Sequence, residues 1–378
     1  MKRKLKILEL TNFSAGICGV WSRVKQEAIE LSKRGYEVRV FSSNAIKGED
    51  KIAPNNDNIG KVRIIRFPFK KLGGESFMRW FGKEAEKKVI EYSPDIIIAH
   101  NYRHLHTTKA LEMRNKLRKQ GKKSGVFLVT HAPFAREENR GLLGNLIVKF
   151  YDFFIGKKII NRFDKIISIT HWELPYLHNL HVNKDKIVYI PNSIDKEFFQ
   201  LKPLAKEENK ILFLGRISPI KNLEVLIKAF SLIKNKSIKL EIVGPSEQDY
   251  KIQLEDLIKK SNQKEKITFL KPVYNIKQKI AKIDSCKIFV LPSKSEGQPQ
   301  SLIEAMARNK IVIASNIPAS GDIIKQGVNG FLFDKDNPKE LAEKIDVIFS
   351  KKPQLKNVKK SVESFNPNNL LLKLEKLF

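Results

Sequence analysis

Two α/β halves, each a parallel sheet flanked by helices, are what this sequence predicts, on three observations. Short apolar runs alternate with longer helical patterns along the whole chain, which is how parallel βαβ units read. The 378 residues exceed one ordinary core and suit two domains. A polar, Pro-bearing stretch, IPNSIDKEFFQLKPLAKEENK at 190–210, interrupts the alternation near the middle and reads as a linker, after which the pattern restarts. Boundaries follow: an N-terminal domain over 1–192, a C-terminal domain over 193–364, and a final helix within 365–378 placed to pack back on the first.

The elements can be justified in order. KILEL (6–10) is an apolar strand, followed by the Gly-containing loop TNFSAGICGV and a helix from about Trp21 to Arg34, with Val24, Ala28 and Leu31 on one side. Gly35 ends that helix and YEVRVFS is the second strand, the opening of a Rossmann-like domain. Further strands read at VRIIRF (62–67), DIIIA (95–99), GVFLVT (125–130) and KIISI (165–169). In the second half KILFLG, KLEIVG, KITFL, KIFVLPS, KIVIAS and GFLF are strands, with helices from Asn222 to about Ile233 and near 249–260. Ligands of open α/β sheets sit beyond the carboxyl ends of the strands, so two such halves would enclose a substrate in a cleft.

Composition narrows the function. Hydrophobic content of 42% and aromatic content of 9% suffice for packed cores and exclude wholesale disorder. No run of 18 apolar residues exists and MKRKLKILEL lacks a secretory core, so a cytoplasmic location is expected. Cys18 and Cys286 fall in different halves, as reduced thiols would. The net charge of +30 suits nucleic acid, an anionic membrane or anionic substrates, although richness in Lys, Ile and Asn throughout accounts for part of it. Residues 101–165 hold about fifteen basic against about five acidic side chains, which predicts a basic patch on the first half. No nucleic-acid-binding module is recognisable, so nucleic acid is not an expected partner.

The stretch SEGQPQSLIEAMA (295–307) carries the chemistry. Pro299 suits the first turn of a helix and Gln298 is a poor cap, so the N–H groups of Gln300, Ser301 and Leu302 lack partners and attract a phosphate. Glu304 lies roughly 6 to 8 Å deeper along the axis, near the span from a diphosphate to its ribose. A carboxylate there can accept from both ribose hydroxyls, and Glu296 from the hydroxyls of a sugar. The spacing alone equally suits a solvated helical charge and a loop charge. Arg216 and Lys221 flank a Ser-Pro turn between strand and helix, where positive charge would meet a diphosphate, or they are surface charges of a Lys-rich chain.

EGQPQSLIEAMA resembles the two-glutamate signature of retaining glycosyltransferases of the GT-B fold, particularly glycosyltransferase family 4, with Glu296 and Glu304 in the matching positions. GRISPIKNLEVLIKAF (215–230) is similar to the segment in which an Arg and a Lys hold the donor diphosphate, which implies that role for Arg216 and Lys221. IPNSID (190–195) resembles the hinge, with Ser193 where Gly is usual. ICGVWSRVKQEAIELSKRGYEVRVFS (17–42) resembles the glycine-pair loop and its helix; Cys18 replaces one glycine, leaving Gly19 the close-approach role. VTHAP (129–133) is similar to the strand end whose histidine borders the donor sugar, implying His131. GDIIKQGVNGFLF (321–333) resembles the segment closing the second domain, with Asp322 for Glu, and ARNKIVIAS has Asn309 and Ile311 where Gly and Pro are preferred.

The resemblance implies a GT-B architecture, two Rossmann-like domains facing across a cleft, and a retaining glycosyltransferase without cofactor or metal. Glu296, His131, Arg216 and Lys221 are the catalytic candidates. Gly19, Arg216, Lys221, Gln298, Ser301, Leu302 and Glu304 are the nucleotide-sugar candidates, and His100 and Phe134 the acceptor-side ones. The expected partners are a UDP-, GDP- or ADP-sugar, a glycan or lipid-linked acceptor, and an anionic membrane surface on its inner face. A nucleotide-sugar epimerase of the same fold and a non-catalytic basic binding protein are the rival readings.

Three further motifs were open. His100, His104 and His106 in HNYRHLH have a zinc-like spacing but no further ligand nearby, and read as cleft or surface histidines. DKD (334–336) precedes an Asn337–Pro338 helix start and reads as a turn. GLLGNLIVKFYDFFIGKK (141–158) places Leu142, Leu143, Leu146, Ile147, Phe150, Phe153 and Phe154 on one helical stripe, which suits an anionic membrane or, as read here, a domain core.

Overall fold

The computed structural model describes residues 4–378 apart from 17, 72–73, 135–140, 201 and 352. It divides into two compact units, Met1–Pro191 with Leu370–Phe378, and Asn192–Asn369. Both are α/β with a largely parallel sheet.

In the first unit the described strands are β1 (Lys6–Phe13), β2 (Glu37–Ser43), β3 (Asn56–Ile59), β4 (Val62–Phe67), β5 (Ile96–His100), β6 (Gly125–Val129), β7 (Lys165–Ser168) and β8 (Ile187–Tyr189). They form one sheet in the order β3-β4-β2-β1-β5-β6-β7-β8. Every neighbouring pair is parallel except β3 and β4. Helices cover both faces, so Ile7, Leu8 and Leu10 of β1 are all buried despite pointing alternately to opposite sides. The helix Pro367–Glu375 contributes Leu370, Leu371 and Leu374 to the core cluster built on Ile7, Val24 and Ile98.

The second unit contains β9 (Lys210–Leu214), β10 (Lys239–Val243), β11 (Ile267–Leu270), β12 (Ile288–Leu291), β13 (Ile311–Ser315) and β14 (Phe331–Phe333), ordered β11-β10-β9-β12-β13-β14 and parallel throughout. The strand order reverses between β9 and β12. A crevice beyond the carboxyl ends of the strands at such a reversal is where doubly wound sheets hold ligands.

Two expectations are corrected. The stretch 190–210 is not a free linker: Ile194 and Phe198 are buried in the core of the second unit, and Lys196–Phe199 form a 3-10 turn. The 141–158 segment is not a core helix. It runs as an α-helix Gly141–Tyr151, a π-helical turn Asp152–Gly156 and an α-helix Lys157–Ile160, and its apolar stripe faces outward, with Phe150 63% and Phe153 69% exposed. Leu142's side chain lies outside the described residues. The opposite side is bolted down instead. Asp152 accepts from Tyr102 Oη at 3.0 Å and from Arg103 Nε at 2.9 Å, and Gly156 sits so close that a Cβ there would stand 2.2 Å from Tyr102 Oη. Periodicity revealed the stripe but not what covers it. No described helix is long and apolar enough to cross a membrane.

Candidate active site

In the second unit the site is built from the loops after β9 and β12, at the reversal of strand order. The loop after β9 is held by backbone bonds to its neighbour after β10: Gly215 N–H donates to Val243 O, Ile217 N–H to Pro245 O, and Glu247 N–H to Ile217 O. The approach is tight enough to require Gly244, whose φ is +152° and whose Cβ, were there one, would lie 1.8 Å from Gly215 O. Arg216 sits on this braced loop, exposed. The 3-10 turn Pro219–Lys221 follows, closed by Asn222 at φ +54°, whose side-chain amide donates to Lys335 O in the DKD turn.

Glu296 lies on the loop after β12, where its Oε1 accepts from Lys221 Nζ at 2.5 Å and from Ser293 Oγ at 2.7 Å. Lys294 N–H donates to Ile220 O, so the two loops are joined by backbone as well as by charge. The helix Gln300–Ala307 then starts at Pro299 with no side-chain cap. Ile303 N–H reaches Pro299 O, and among the described residues no bond engages the N–H groups of Gln300, Ser301 or Leu302. One turn in, Glu304 is buried; its Oε1 accepts from Lys279 Nζ at 2.6 Å, while its Oε2 is buried without a partner. Burial raises the Glu304 carboxyl above the usual range against the opposing pull of Lys279, and the nearby Asp195 adds to the rise. A buried carboxylate oxygen with no donor is costly, so this group is poised to accept a hydrogen bond from a ligand.

In the first unit a different cluster forms where the strand order reverses between β1 and β5. Glu9, inside the apolar run of β1, is fully buried, and its Oε2 lies 2.7 Å from His100 Nε2 at the end of β5. His100 Nδ1 is 2.9 Å from His131 Nε2. His131 and Ala132 both adopt positive φ, +58° and +50°, just past β6. Glu173, itself buried, holds that strained turn: its Oε1 accepts from Ala132 N–H at 3.0 Å and its Oε2 from Ile169 N–H and Thr170 N–H.

Residues 17–198 match the family described as Glycosyltransferase Family 4, and residues 194–365 match Glycosyl transferases group 1. The chain belongs to these glycosyltransferases. It is 30% identical over 182 residues to an uncharacterised glycosyltransferase, MJ1178, of Methanocaldococcus jannaschii, with 48% of each chain covered. It is also 30% identical over 189 residues to the O-antigen chain mannosyltransferase RfbU of Salmonella typhimurium, covering 48% of this chain and 51% of that one. The match spans about half the length of these curated relatives. Among solved structures, Anabaena Alr3699/HepE in complex with UDP-glucose superposes with a TM-score of 0.72 at 19% identity, over 99% of both chains, which establishes the shared GT-B architecture.

For this glycosyltransferase the sequence candidates separate into those with free polar groups and those without. Glu296, Lys221, Arg216, Glu304 and the amides of Ser301 and Leu302 gather in the second unit as described. Gln298 is elsewhere engaged: its Oε1 accepts from Asn192 N–H at 2.8 Å and its Nε2 donates to Asn192 O at 2.9 Å, tying the loop to the start of this unit. Gly19 opens the helix Gly19–Lys33, and a Cβ there would meet no atom within 4 Å, so the fold itself does not demand glycine. Of the acceptor-side candidates, His100 is fully buried, and Phe134, packed under Arg103 with its ring stacked on Tyr176 at 4.7 Å, lines a cavity together with Lys149, Asp152 and His181. The other histidines of that loop are also engaged: His106 Nε2 bonds His100 O, and His104 Nδ1 lies 2.8 Å from Asn12 Nδ2. Among the described residues no group of three His, Cys, Asp or Glu is arranged to hold a metal.

Sequence reasoning missed Lys279, Ser293, Glu9 and Glu173. Lys279 and Ser293 carry no local signal, since they matter only through partners brought near by the fold. Glu9 did carry one, a lone carboxylate in an otherwise apolar strand.

Proposed function

We propose that this protein transfers a sugar, with retention, from a nucleoside diphosphate sugar to a hydroxyl of a cell-surface glycan or lipid-linked oligosaccharide. The observation that carries the donor class is Glu304 Oε2, buried and unpartnered one turn below an uncapped helix N-terminus. Phosphate oxygens suit the open amides, and ribose hydroxyls suit the carboxylate. RfbU is named an O-antigen chain mannosyltransferase and other relatives are named for capsular polysaccharide biosynthesis, which motivates the glycan acceptor.

The leaving diphosphate gathers charge as the sugar becomes oxocarbenium-like, and Arg216, Lys221 and the helix amides would stabilise it in the transition state, a charge balance that asks for no metal ion. Lys221 has two N–H groups beyond the one given to Glu296. Glu296 would orient the sugar; with its Oε1 already accepting from Lys221 and Ser293, it is a poor nucleophile. Attack from the face the diphosphate leaves accounts for retention: the acceptor oxygen bonds to the anomeric carbon as its bond to phosphate breaks, and the acceptor proton passes to the departing phosphate oxygen. On the first unit we assign His131 to the sugar. Gly19, with open space at its Cβ position, leaves room for close ligand approach.

Calorimetry against UDP, GDP, ADP and CMP tests the donor class: one nucleoside diphosphate binding well above the rest supports it, and no binding by any overturns it. Product analysis with donor alone distinguishes an epimerase, which would convert it without acceptor.

We also propose that the exposed apolar stripe of 141–158, with Lys149 and Lys158 beside it, seats the protein on the cytoplasmic face of an anionic membrane. Sedimentation with anionic vesicles, lost in Phe150→Ser/Phe153→Ser, is the expected result; equal absence of binding to anionic and neutral vesicles removes the idea.

A further inference from the structure

Behind His131 the first unit buries an array of titratable groups that the transfer mechanism does not otherwise use. Glu9 on β1, Arg23 and Glu27 on the helix Gly19–Lys33, His100 on β5 and His131 after β6 lie close enough to act on one another, with His106 bonded to His100 O and His104 acting on His131. One guanidinium, Arg23, faces two carboxylates; its Nε bonds Glu27 Oε2 at 3.1 Å. Glu9 Oε1 is buried without a partner, so an ionised Glu9 would leave half its charge unsolvated. The remaining atoms form a single file: Glu9 Oε2, His100 Nε2, His100 Nδ1, His131 Nε2 and His131 Nδ1. His131 is half-buried, and its Nδ1 bonds no described residue.

A neutral imidazole has one donor and one acceptor nitrogen, and the bond made by the first fixes the second. When Glu9 carries its proton, the acid donates to His100 Nε2, His100 Nδ1–H donates to His131 Nε2, and His131 Nδ1–H is left as a donor. When Glu9 is ionised every bond in the file reverses: His100 Nε2–H donates to Glu9, His131 Nε2–H donates to His100 Nδ1, and His131 Nδ1 is left as an acceptor. The protons balance. Glu9's moves to His100 Nε2, that of His100 Nδ1 moves to His131 Nε2, and that of His131 Nδ1 leaves to solvent or ligand.

We propose that Glu9, acting through His100, sets the polarity of His131 Nδ1, making it a hydrogen-bond donor when Glu9 is protonated and an acceptor when Glu9 is ionised. Glu9 and His100 are thus positioning residues for His131, and the assignment of that nitrogen to a sugar hydroxyl rests on the function proposed above. Both rings stay neutral throughout. Burial pushes the Glu9 carboxyl up to about 8 against the pull of Arg23, pushes His100 down to about 3, and holds His131 well below the usual imidazole range. The reversal therefore falls near neutral pH.

The test is nitrogen-15 NMR of the histidine-labelled full chain without ligand, from pH 6 to 9.5. The expected result is that the Nδ1 and Nε2 resonances of His100 and His131 exchange pyrrole-type for pyridine-type positions together, with one midpoint. In Glu9→Gln both rings should hold one tautomer across the range, and the pH dependence of kcat/KM for the donor should lose the corresponding step. Unchanged tautomers in the wild-type protein, an imidazolium at either ring, or reversal persisting in Glu9→Gln would each overturn the proposal. If Glu9→Gln does not fold, the wild-type titration still decides. Because the resonances are read without substrate, failure of the relay and failure of the transferase reading are told apart.

Discussion

The two clusters at the reversals of strand order handle charge in opposite ways. In the second unit positive charge is kept near the surface: Arg216 is exposed and Lys221 retains donors beyond its bond to Glu296, while Glu304, whose carboxyl burial also pushes up, pairs with Lys279 and keeps one oxygen spare. In the first unit burial drives the groups neutral, with imidazoles pushed down and Glu9 pushed up. A diphosphate needs fixed positive charge, which costs little to maintain at the open end of a sheet. A sugar presents hydroxyls, which are best read by neutral donors and acceptors whose orientation is locked. The contrast teaches that one topology, used twice, can place cations at an open strand end in one unit and a buried chain of carboxyl and imidazole groups in the other.

The largest effect that could break this contrast is on turnover. Lys221→Ala and Arg216→Ala should each lower kcat by about 10²–10³, the cost of removing one transition-state donor, while free nucleotide affinity falls far less. Equal losses in kcat and in nucleotide binding would mean that the cations bind ground and transition states alike. Next, Glu304→Ala should weaken a nucleoside diphosphate by about 10- to 100-fold, as expected for a hydrogen bond to a charged group, and leave inorganic pyrophosphate binding nearly unchanged. Loss of both ligands to the same degree would instead indicate a collapsed helix start.

A smaller, purely steric effect is expected from Gly244→Ala. The new Cβ would overlap Gly215 O, so the loop bearing Arg216 must shift, at roughly 1–3 kcal/mol of stability measured by denaturant titration. The smallest effect sharpens the neutral side. Because the folded chain holds the Glu9 proton more tightly than the unfolded one, Glu9 makes stability fall as pH rises from the ordinary carboxylate range to about 8. His100 acts oppositely, and its contribution is lost as pH falls below the ordinary imidazole range toward about 3. Glu9→Gln should therefore raise the Tm relative to wild type by several degrees more at pH 9 than at pH 6, and a difference independent of pH would show that Glu9 is not neutral in the fold.

Much of the α/β alternation was legible because fully buried strands such as KILEL and KIFVL are continuous apolar runs between amphipathic helices. β3 escaped notice since NDNI is a polar antiparallel edge, and β8 since IVY is only three residues long. The loops carrying Arg216, Lys221 and Glu296 were legible as short motifs between a strand and a helix. Their partners were not: Lys279 lies 25 residues from Glu304, and Glu9 lies 91 from His100. The outward stripe at 143–155 was misread because amphipathic spacing is the same whether a core or a lipid surface covers it. Asn309, out of place by resemblance, has a local explanation: it sits at φ +58° after a helix end, where asparagine is the usual substitute for glycine.

The helix ending at Glu375 has a bearing on biosynthesis. Its leucines, together with Phe378 against Tyr36 and Phe127, complete a core begun at Ile7, so that core is not whole until all of 192–369 has been translated. A fragment cut at Pro191 would lack that helix and carry a greasy seam along one side of its sheet.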